Sequence, residues 1–396
     1  MSINKSAPSR NRKCFEIAIF CALGSEADAM IAMFDEIWGQ GDQPLRGPGD
    51  TNSYTFGRIW RHSVVLVHLP RMGKIAATQA SANLRSSFPC IRLGLLVGIC
   101  GSVPFSGSRE IFLGDVIIST QIVQLDFGRL YPHAYLRKNR LQDNLGRPNP
   151  EISGFLAKLQ GQNAHRDLKK SMCANLATVS KSADFALSKL PGIDKDRLFD
   201  ANYNHKHADP EACLLCAKCT QPEDIVCADA LSLSCSELGC DPSRVVPRVR
   251  KQTPNCNSQG GLSEDPEIHF GVLASGDQVI KSGIHRDHIA KEEGVIGFEM
   301  EGAGLWDTVP TIVVKGVCDY ADSHKSKEWQ LYAAITAAAC AKGLLKIWIK
   351  PSPTEEGSSD YHESALSGMH QDFSGNFTAG KNIHNGGIFT AESINF

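Results

Sequence analysis

Two acidic segments carry the chemistry open to this chain: Gly297-Phe-Glu-Met-Glu301 and Thr311-Ile-Val-Val-Lys-Gly-Val-Cys-Asp319. Val313, Val314 and Val317 make a short β-branched run that reads as a strand buried on both faces. Asp319 falls where that strand ends, and open α/β sheets bind ligands outside the carboxyl ends of their strands. An acid placed there can transfer a proton, or it can cap the turn into Tyr320-Ala-Asp-Ser-His324. Glu299 and Glu301 share one face of an extended segment, so their roles depend on where that strand stops.

The elements that must position these groups alternate along the chain. Phe15 to Ala22 reads as a strand, followed by an amphipathic helix with Ala27, Met30, Ile31 and Phe34 at helical spacing and Ser25 as its expected N-cap. Tyr54 to Trp60 and Ser63 to Leu69 form two strands around Arg61-His62, and Gly73 to Leu84 is a small-residue helix. Leu93 to Ile99, Asp115 to Thr120, Ile268 to Ala274 and Thr311 to Val317 continue the sheet, and Trp329 to Trp348 is a closing helix. This order predicts an α/β fold of three layers, α/β/α, on a mixed, largely parallel central sheet. Residues 14–350 form that domain, with an irregular insertion at about 133–264 that contains helical patches such as Glu151 to Leu159. Residues 1–13 are expected to be a disordered lead and residues 351–396 a flexible tail too poor in apolar surface to join the core.

Bulk composition narrows the class. The 396 residues carry 41 Lys+Arg against 43 Asp+Glu and 42% hydrophobic residues, enough for one sizeable core. A near-neutral chain without a long basic block gives no electrostatic case for nucleic acid. No apolar stretch reaches membrane-spanning length and the polar, basic start is unlike a signal peptide, so a cytoplasmic protein is expected. Cys21, Cys90, Cys100, Cys318 and Cys340 fall in or beside apolar segments and read as small buried hydrophobes of a reducing compartment.

Five loop-edge segments now stand in order: Ala22-Leu-Gly-Ser-Glu26, Pro70-Arg-Met-Gly-Lys74, Val97-Gly-Ile-Cys-Gly101, Ala274-Ser-Gly-Asp277 with Phe298-Glu-Met-Glu301, and Lys315-Gly-Val-Cys-Asp319. Together they resemble the nucleoside phosphorylase and nucleosidase superfamily, over roughly residues 14–132 and 265–350. Asp319-Tyr-Ala-Asp-Ser-His-Lys325 and Val97-Gly-Ile-Cys-Gly-Ser-Val-Pro-Phe105 look like a branch found in fungal immune-type proteins, where the domain is an effector. The resemblance implies cleavage of a purine N-glycosidic bond without a cofactor, in a homo-oligomer. It implies Asp319 as proton donor to the purine ring, Glu26 as activator of water, and Glu301, Met300 and Glu299 around the ribose. Ser275, Gly276 and Asp277 match the segment lining the base pocket, although Asp277 could equally fix its own turn.

Arg71, Gly73 and Lys74 open a helix, a setting that favours anions, and Gly98 and Gly101 let backbone approach a ligand. Where phosphorolytic relatives place a hydroxyl that grips phosphate, this chain has Ile99, which favours hydrolysis. The alternatives are a phosphate-dependent purine nucleoside phosphorylase and a catalytically idle nucleotide-binding signalling module. A further extension, to ATP, would draw on Arg71, Lys74, Arg129, His133, His324 and Lys325.

Cys213 and Cys216, with His205 and His207 before them and Cys219, Cys227, Cys235, Cys240 and Cys256 after, offer one ligand pair of zinc spacing; a structural zinc and unligated thiols both remain open. Residues 373–396 are rich in Asn, Gly and Phe without proline, a composition suited to cross-β stacking. The segment looks like the amyloid-signalling motifs of fungal immune effectors, which implies a NOD-like receptor as partner.

Overall fold

The computed structural model describes residues 11–39, 41, 43–181, 191–248, 253–254, 262–263 and 265–349. The expected tail, its cross-β motif and Cys256 lie outside these residues, as do the first ten residues of the expected disordered lead. Within that lead, Arg12–Cys14 form a 3-10 turn capped by the Asn11 side chain.

Nine strands make one sheet: β1 (Ile17–Cys21), β2 (Glu36–Ile37), β3 (Ser53–Ile59), β4 (His62–His68), β5 (Leu93–Ser102), β6 (Val116–Gln124), β7 (Ile268–Ser275), β8 (Val295–Glu299) and β9 (Thr311–Asp319). Their order is β8-β7-β6-β9-β5-β1-β4-β3-β2. Five pairings are parallel and four antiparallel, so the sheet is mixed with parallel pairs at its centre. The sheet also curls, because β8 returns to pair with the end of β5 at Gly101 and Ser102. That closure brings the Glu299–Glu301 segment to the strand end that Asp319 also flanks.

Helices cover both faces, which is why the central strands are apolar without alternation. Ile17, Ile19 and Cys21 of β1 pack into one layer with Met30 of α1 (Gly24–Ile31). Ala18 and Phe20 pack into the other, with Ala77, Ala80 and Leu84 of α2 (Lys74–Ser87). Two helices in the expected irregular insertion, α3 (Pro150–Gln160) and α4 (Gln162–Val179), belong to the first layer. Their Ile152, Leu156, Leu168 and Met172 are buried with Leu344 and Leu345 of the closing helix, here α6 (Gln330–Ile347), so the described irregular parts of the expected insertion are residues 138–149 and 191–248. Helix α5 (Gly283–Glu293) precedes β8.

Two local expectations change. Ser25 is inside α1, not its N-cap; Leu23 holds that position, and Glu26 reaches back to accept from the Leu23 N–H, so no hydroxyl is needed. Cys90 is half-exposed beyond α2 and is not a buried hydrophobe. Cys21, Cys100, Cys318 and Cys340 are buried as expected.

Candidate active site

The ends of β5 and β9 form the floor of the site. Lys315 of β9 lies beside Gly98 of β5, and Asp319 beside Gly101, while Phe298 of β8 pairs with Gly101 from the other side. The two glycines are there for clearance. A Cβ at Gly98 would stand 2.1 Å from Glu26 Oε1, and one at Gly101 would stand 2.7 Å from Asp319 Oδ1. Glu26 and Asp319, far apart along the chain, therefore meet the same short stretch of backbone.

Glu26 is buried and held by three amides. Its Oε2 accepts from Ala22 and Leu23 N–H, both at 2.9 Å, and its Oε1 from Ile99 N–H at 2.8 Å. A carboxylate offers about four acceptor sites, so Oε1 keeps a lone pair for a water. The acid is thus a helix-capping group and a candidate base at once.

Lys315 is 1% exposed and was not among the residues singled out from sequence. Its Nζ lies 3.1 Å from Glu301 Oε2 and 4.0 Å from Glu299 Oε2. Burial alone would favour the neutral amine, but the fields of Glu301, Glu26 and Glu299 outweigh it and push the lysine above its ordinary range. A partial signal was present in β9: Lys315 lies two residues from both Val313 and Val317 and so shares their face, but the ladder is irregular between Val317 and Asp319, so alternation does not carry through to the acid.

The strand stops at Glu299, and Glu301 is the N-cap of the turn Gly302–Leu305. The two acids then divide. Glu299 binds the turn, accepting from Glu301 N–H at 3.0 Å and Gly302 N–H at 2.9 Å, and burial raises its carboxyl above the usual range against the pull of Lys315. Glu301 faces outward from that anchor, accepting from Lys315 and from Gly73 N–H at 3.2 Å. Met300 between them is half-buried.

The helix-opening loop spends its donors on carboxylates. Gly73, at φ +106°, gives its N–H to Glu301, and Lys74 gives its N–H to Asp277 Oδ1 at 2.9 Å. The Lys74 ammonium pairs with Asp126 and lies 3.7 Å from Asp277 Oδ2. Asp277 therefore caps α2, and Arg71 is exposed at the rim. Ser275 and Gly276 are tied to the same wall: Ser275 Oγ accepts from Ala303 N–H at 3.0 Å, and Gly276 N–H reaches the Glu299 carbonyl at 3.2 Å.

Asp319 Oδ1 accepts from Ala321 N–H at 2.8 Å and lies 3.0 Å from Lys325 Nζ. Among the described residues its Oδ2 has only the Cys318 thiol, at 3.4 Å, and is the oxygen left to face a ligand. Burial pushes the Cys318 thiol far up, which disfavours the thiolate. Ala321 holds φ +52°, a left-handed conformation that a non-glycine residue adopts at a cost of about 1 kcal/mol. The loop is braced for it. Arg286 donates to the Tyr320 carbonyl at 2.9 Å, the Tyr320 hydroxyl meets Asp196 and Arg248, and His324 stacks on Phe199 with ring centroids 4.1 Å apart. Burial also raises Asp322 to about 6 and lowers His324 to about 3. Of the cations considered for a triphosphate, Lys74 and Lys325 each hold a carboxylate and His324 is buried, leaving Arg71, Arg129 and His133 exposed.

Residues 16–162 match the family described as the phosphorylase superfamily. A nucleotide-binding leucine-rich repeat (NLR)-like protein of Hyaloscypha variabilis is 32% identical over 346 residues, which are 86% of this chain and 30% of that protein. A 5'-methylthioadenosine/S-adenosylhomocysteine nucleosidase of Mycobacterium tuberculosis is 25% identical over 118 residues, 27% of this chain and 46% of that enzyme. The chain thus spans less than half the length of these curated relatives. Among solved structures, a Helicobacter pylori 5'-methylthioadenosine/S-adenosylhomocysteine nucleosidase with butyl-thio-DADMe-Immucillin-A is 14% identical at a TM-score of 0.48, covering 84% of this chain and 99% of that one. Futalosine hydrolase of Helicobacter pylori is 15% identical at a TM-score of 0.47, covering 85% and 100%. No helix among the described residues is long and apolar enough to cross a membrane.

Proposed function

On the premise that this chain carries a phosphorylase-superfamily domain, we propose that it hydrolyses the N-glycosidic bond of a purine nucleoside or nucleotide. The observation that carries this reading is the gathering of Glu26, Asp319 and the Lys315–Glu301 pair on the Gly98–Gly101 stretch of β5. As the bond breaks, its electrons leave with the base and positive charge grows on the ribose. Asp319 Oδ2 protonates the departing purine. Glu301 accepts hydrogen bonds from the ribose hydroxyls. A water held on Glu26 Oε1 adds to the anomeric carbon and gives its proton to that carboxylate. Three carboxylates stand around one buried ammonium, and that surplus of negative charge, in a water-poor site, favours the cationic sugar.

Hydrolysis is favoured over phosphorolysis by how the donors are spent. The amides of Gly73, Lys74 and Ile99 and the Lys74 ammonium all serve carboxylates, and the Ile99 side chain has no hydroxyl to offer an anion. Similarity to an NLR-like protein supports a receptor-linked immune role as the wider setting. The test is incubation of the full chain with adenosine, inosine and ATP, with and without phosphate, reading free base by chromatography. Base released without phosphate is expected; release only with phosphate makes the protein a phosphorylase; nucleoside binding without release makes it an idle signalling module.

A further inference from the structure

Residues 205–240 gather six metal-binding side chains into two groups, one nested inside the other along the chain. Cys213, Cys216 and Cys227 form one, His205, Cys235 and Cys240 the other, and within each group the ligand atoms lie within 4.8 Å of one another. The backbone is built to do this. Cys213 is the N-cap of the short helix Leu214–Lys218, which puts Cys216 on the same side one turn on. Cys235 opens the turn Cys235–Leu238, which Gly239 closes at φ +69°, returning the Cys240 N–H to the Cys235 carbonyl at 2.9 Å.

The geometry suits a tetrahedral thiolate ion better than a disulfide. Two sulfurs on one zinc, each about 2.3 Å from it, stand about 3.8 Å apart. The Sγ atoms of Cys216 and Cys227 are 3.6 Å apart, whereas a disulfide needs about 2.05 Å. All five cysteines of the two groups are free of disulfides. His205 is 7% exposed and its Nδ1 meets the Ala230 carbonyl at 2.9 Å, the outer hydrogen bond that leaves Nε2 of a zinc-binding imidazole free for the ion.

The energetics of the segment call for such a cross-link. Its own apolar cluster consists of Cys216, Ala230 and Leu238, with Leu233 and Val226 at the edge, and a core that small cannot hold a loop-rich segment of this length by itself. Hydrogen bonds from the Lys206 ammonium to the Cys216 and Cys219 carbonyls fasten one group to the chain that precedes it. The other group touches the catalytic loop, since the His205 ring stands edge-on to His324 at 5.1 Å.

We propose that residues 205–240 are a two-zinc module, one ion held by Cys213, Cys216 and Cys227 and the other by His205, Cys235 and Cys240, each with a fourth position open to water. The ligand set is of the soft sulfur and imidazole type that selects zinc over magnesium or calcium. This assignment does not depend on the glycosidic reaction, and its readout is metal content.

The full chain is purified in reductant without chelator or metal-affinity tag, and zinc per chain is measured by mass spectrometry with X-ray absorption for the ligand shell. The expected result is two zinc ions per chain in a sulfur-rich shell with Zn–S near about 2.3 Å. Cys213→Ser and Cys235→Ser should each lose one ion, the double variant both, and Cys14→Ser none. Should these variants not fold, mercurial titration of the wild-type thiols against a zinc indicator gives the same count. Wild-type protein that holds no zinc after reconstitution in zinc chloride overturns the module. A single ion that only one of the two variants loses overturns the assignment of the other group.

Discussion

The acids around Lys315 and the thiols of residues 205–240 are two polar clusters among the described residues, and they stand on different foundations. Lys315, Glu26, Glu299 and Glu301 are 1–6% exposed within a sheet whose two faces are packed by large apolar clusters. The thiol and imidazole groups surround a cluster of three buried side chains. In the first region apolar packing positions polar groups, and each must be paired because burial penalises an unpaired charge heavily. In the second, the polar heteroatoms themselves must supply the cohesion. A reactive site can be held taut in the first way, while a brace for a loop needs only the second.

Five substitutions would break or sharpen that contrast. The largest effect is expected on catalysis: Asp319→Ala should lower base release by about 10²–10⁴-fold, the usual worth of a general acid, with the thermal midpoint little changed. Unchanged turnover would remove Asp319 from the reaction. Next, Lys315→Met leaves the Glu301, Glu299 and Glu26 carboxylates without their cation in a dry interior, and chemical denaturation should show a loss of about 3–5 kcal/mol. A loss below about 1 kcal/mol would mean that water reaches the cluster.

Third, a matched pair compares the two foundations directly. Leu66→Ala, at 0% exposure in β4, should cost about 2–5 kcal/mol of global stability. Leu238→Ala, also buried but in the small cluster, should leave the global midpoint in place and appear instead as faster hydrogen exchange across residues 205–240. Equal global losses would show that the two regions unfold as one.

The smallest effect is one of pH. Asp322 is raised from 3.8 to about 6, by burial first and despite Arg286 nearby, so the folded state holds a proton there that the unfolded chain has released. Stability from this group is therefore full below pH 3.8 and falls as pH rises to about 6, by no more than about 3 kcal/mol. Asp322→Asn should remove that slope from a plot of thermal midpoint against pH between 4 and 6, and a slope that persists would assign it to another group.

Much of the sheet was legible because strand burial leaves a local mark. Runs such as Ile17–Cys21 and Thr311–Cys318 need apolar residues on both faces, and each could be read without knowing its neighbours. Helices α3 and α4 were less legible as core, because one apolar stripe looks alike on a surface insertion and on a layer that covers a sheet. The five loop segments were legible as an ordered set, but the work of each donor was not. Asp277 could be placed at a base pocket or in its own turn, and it caps a helix that lies 203 residues away in sequence.

By itself, then, the order of residues determined most of the strands, that Asp319 falls at the end of one of them, and that position 99 carries no hydroxyl. Only the folded chain decided the partners: Lys315 between Glu301 and Glu299, Glu26 on the Ile99 amide, and His205 with Cys235 and Cys240. The reason is range. Periodicity and burial are set within a few residues, whereas a charge or a metal ligand is satisfied by whatever the closure of the sheet and the path of its loops bring within about 3–4 Å.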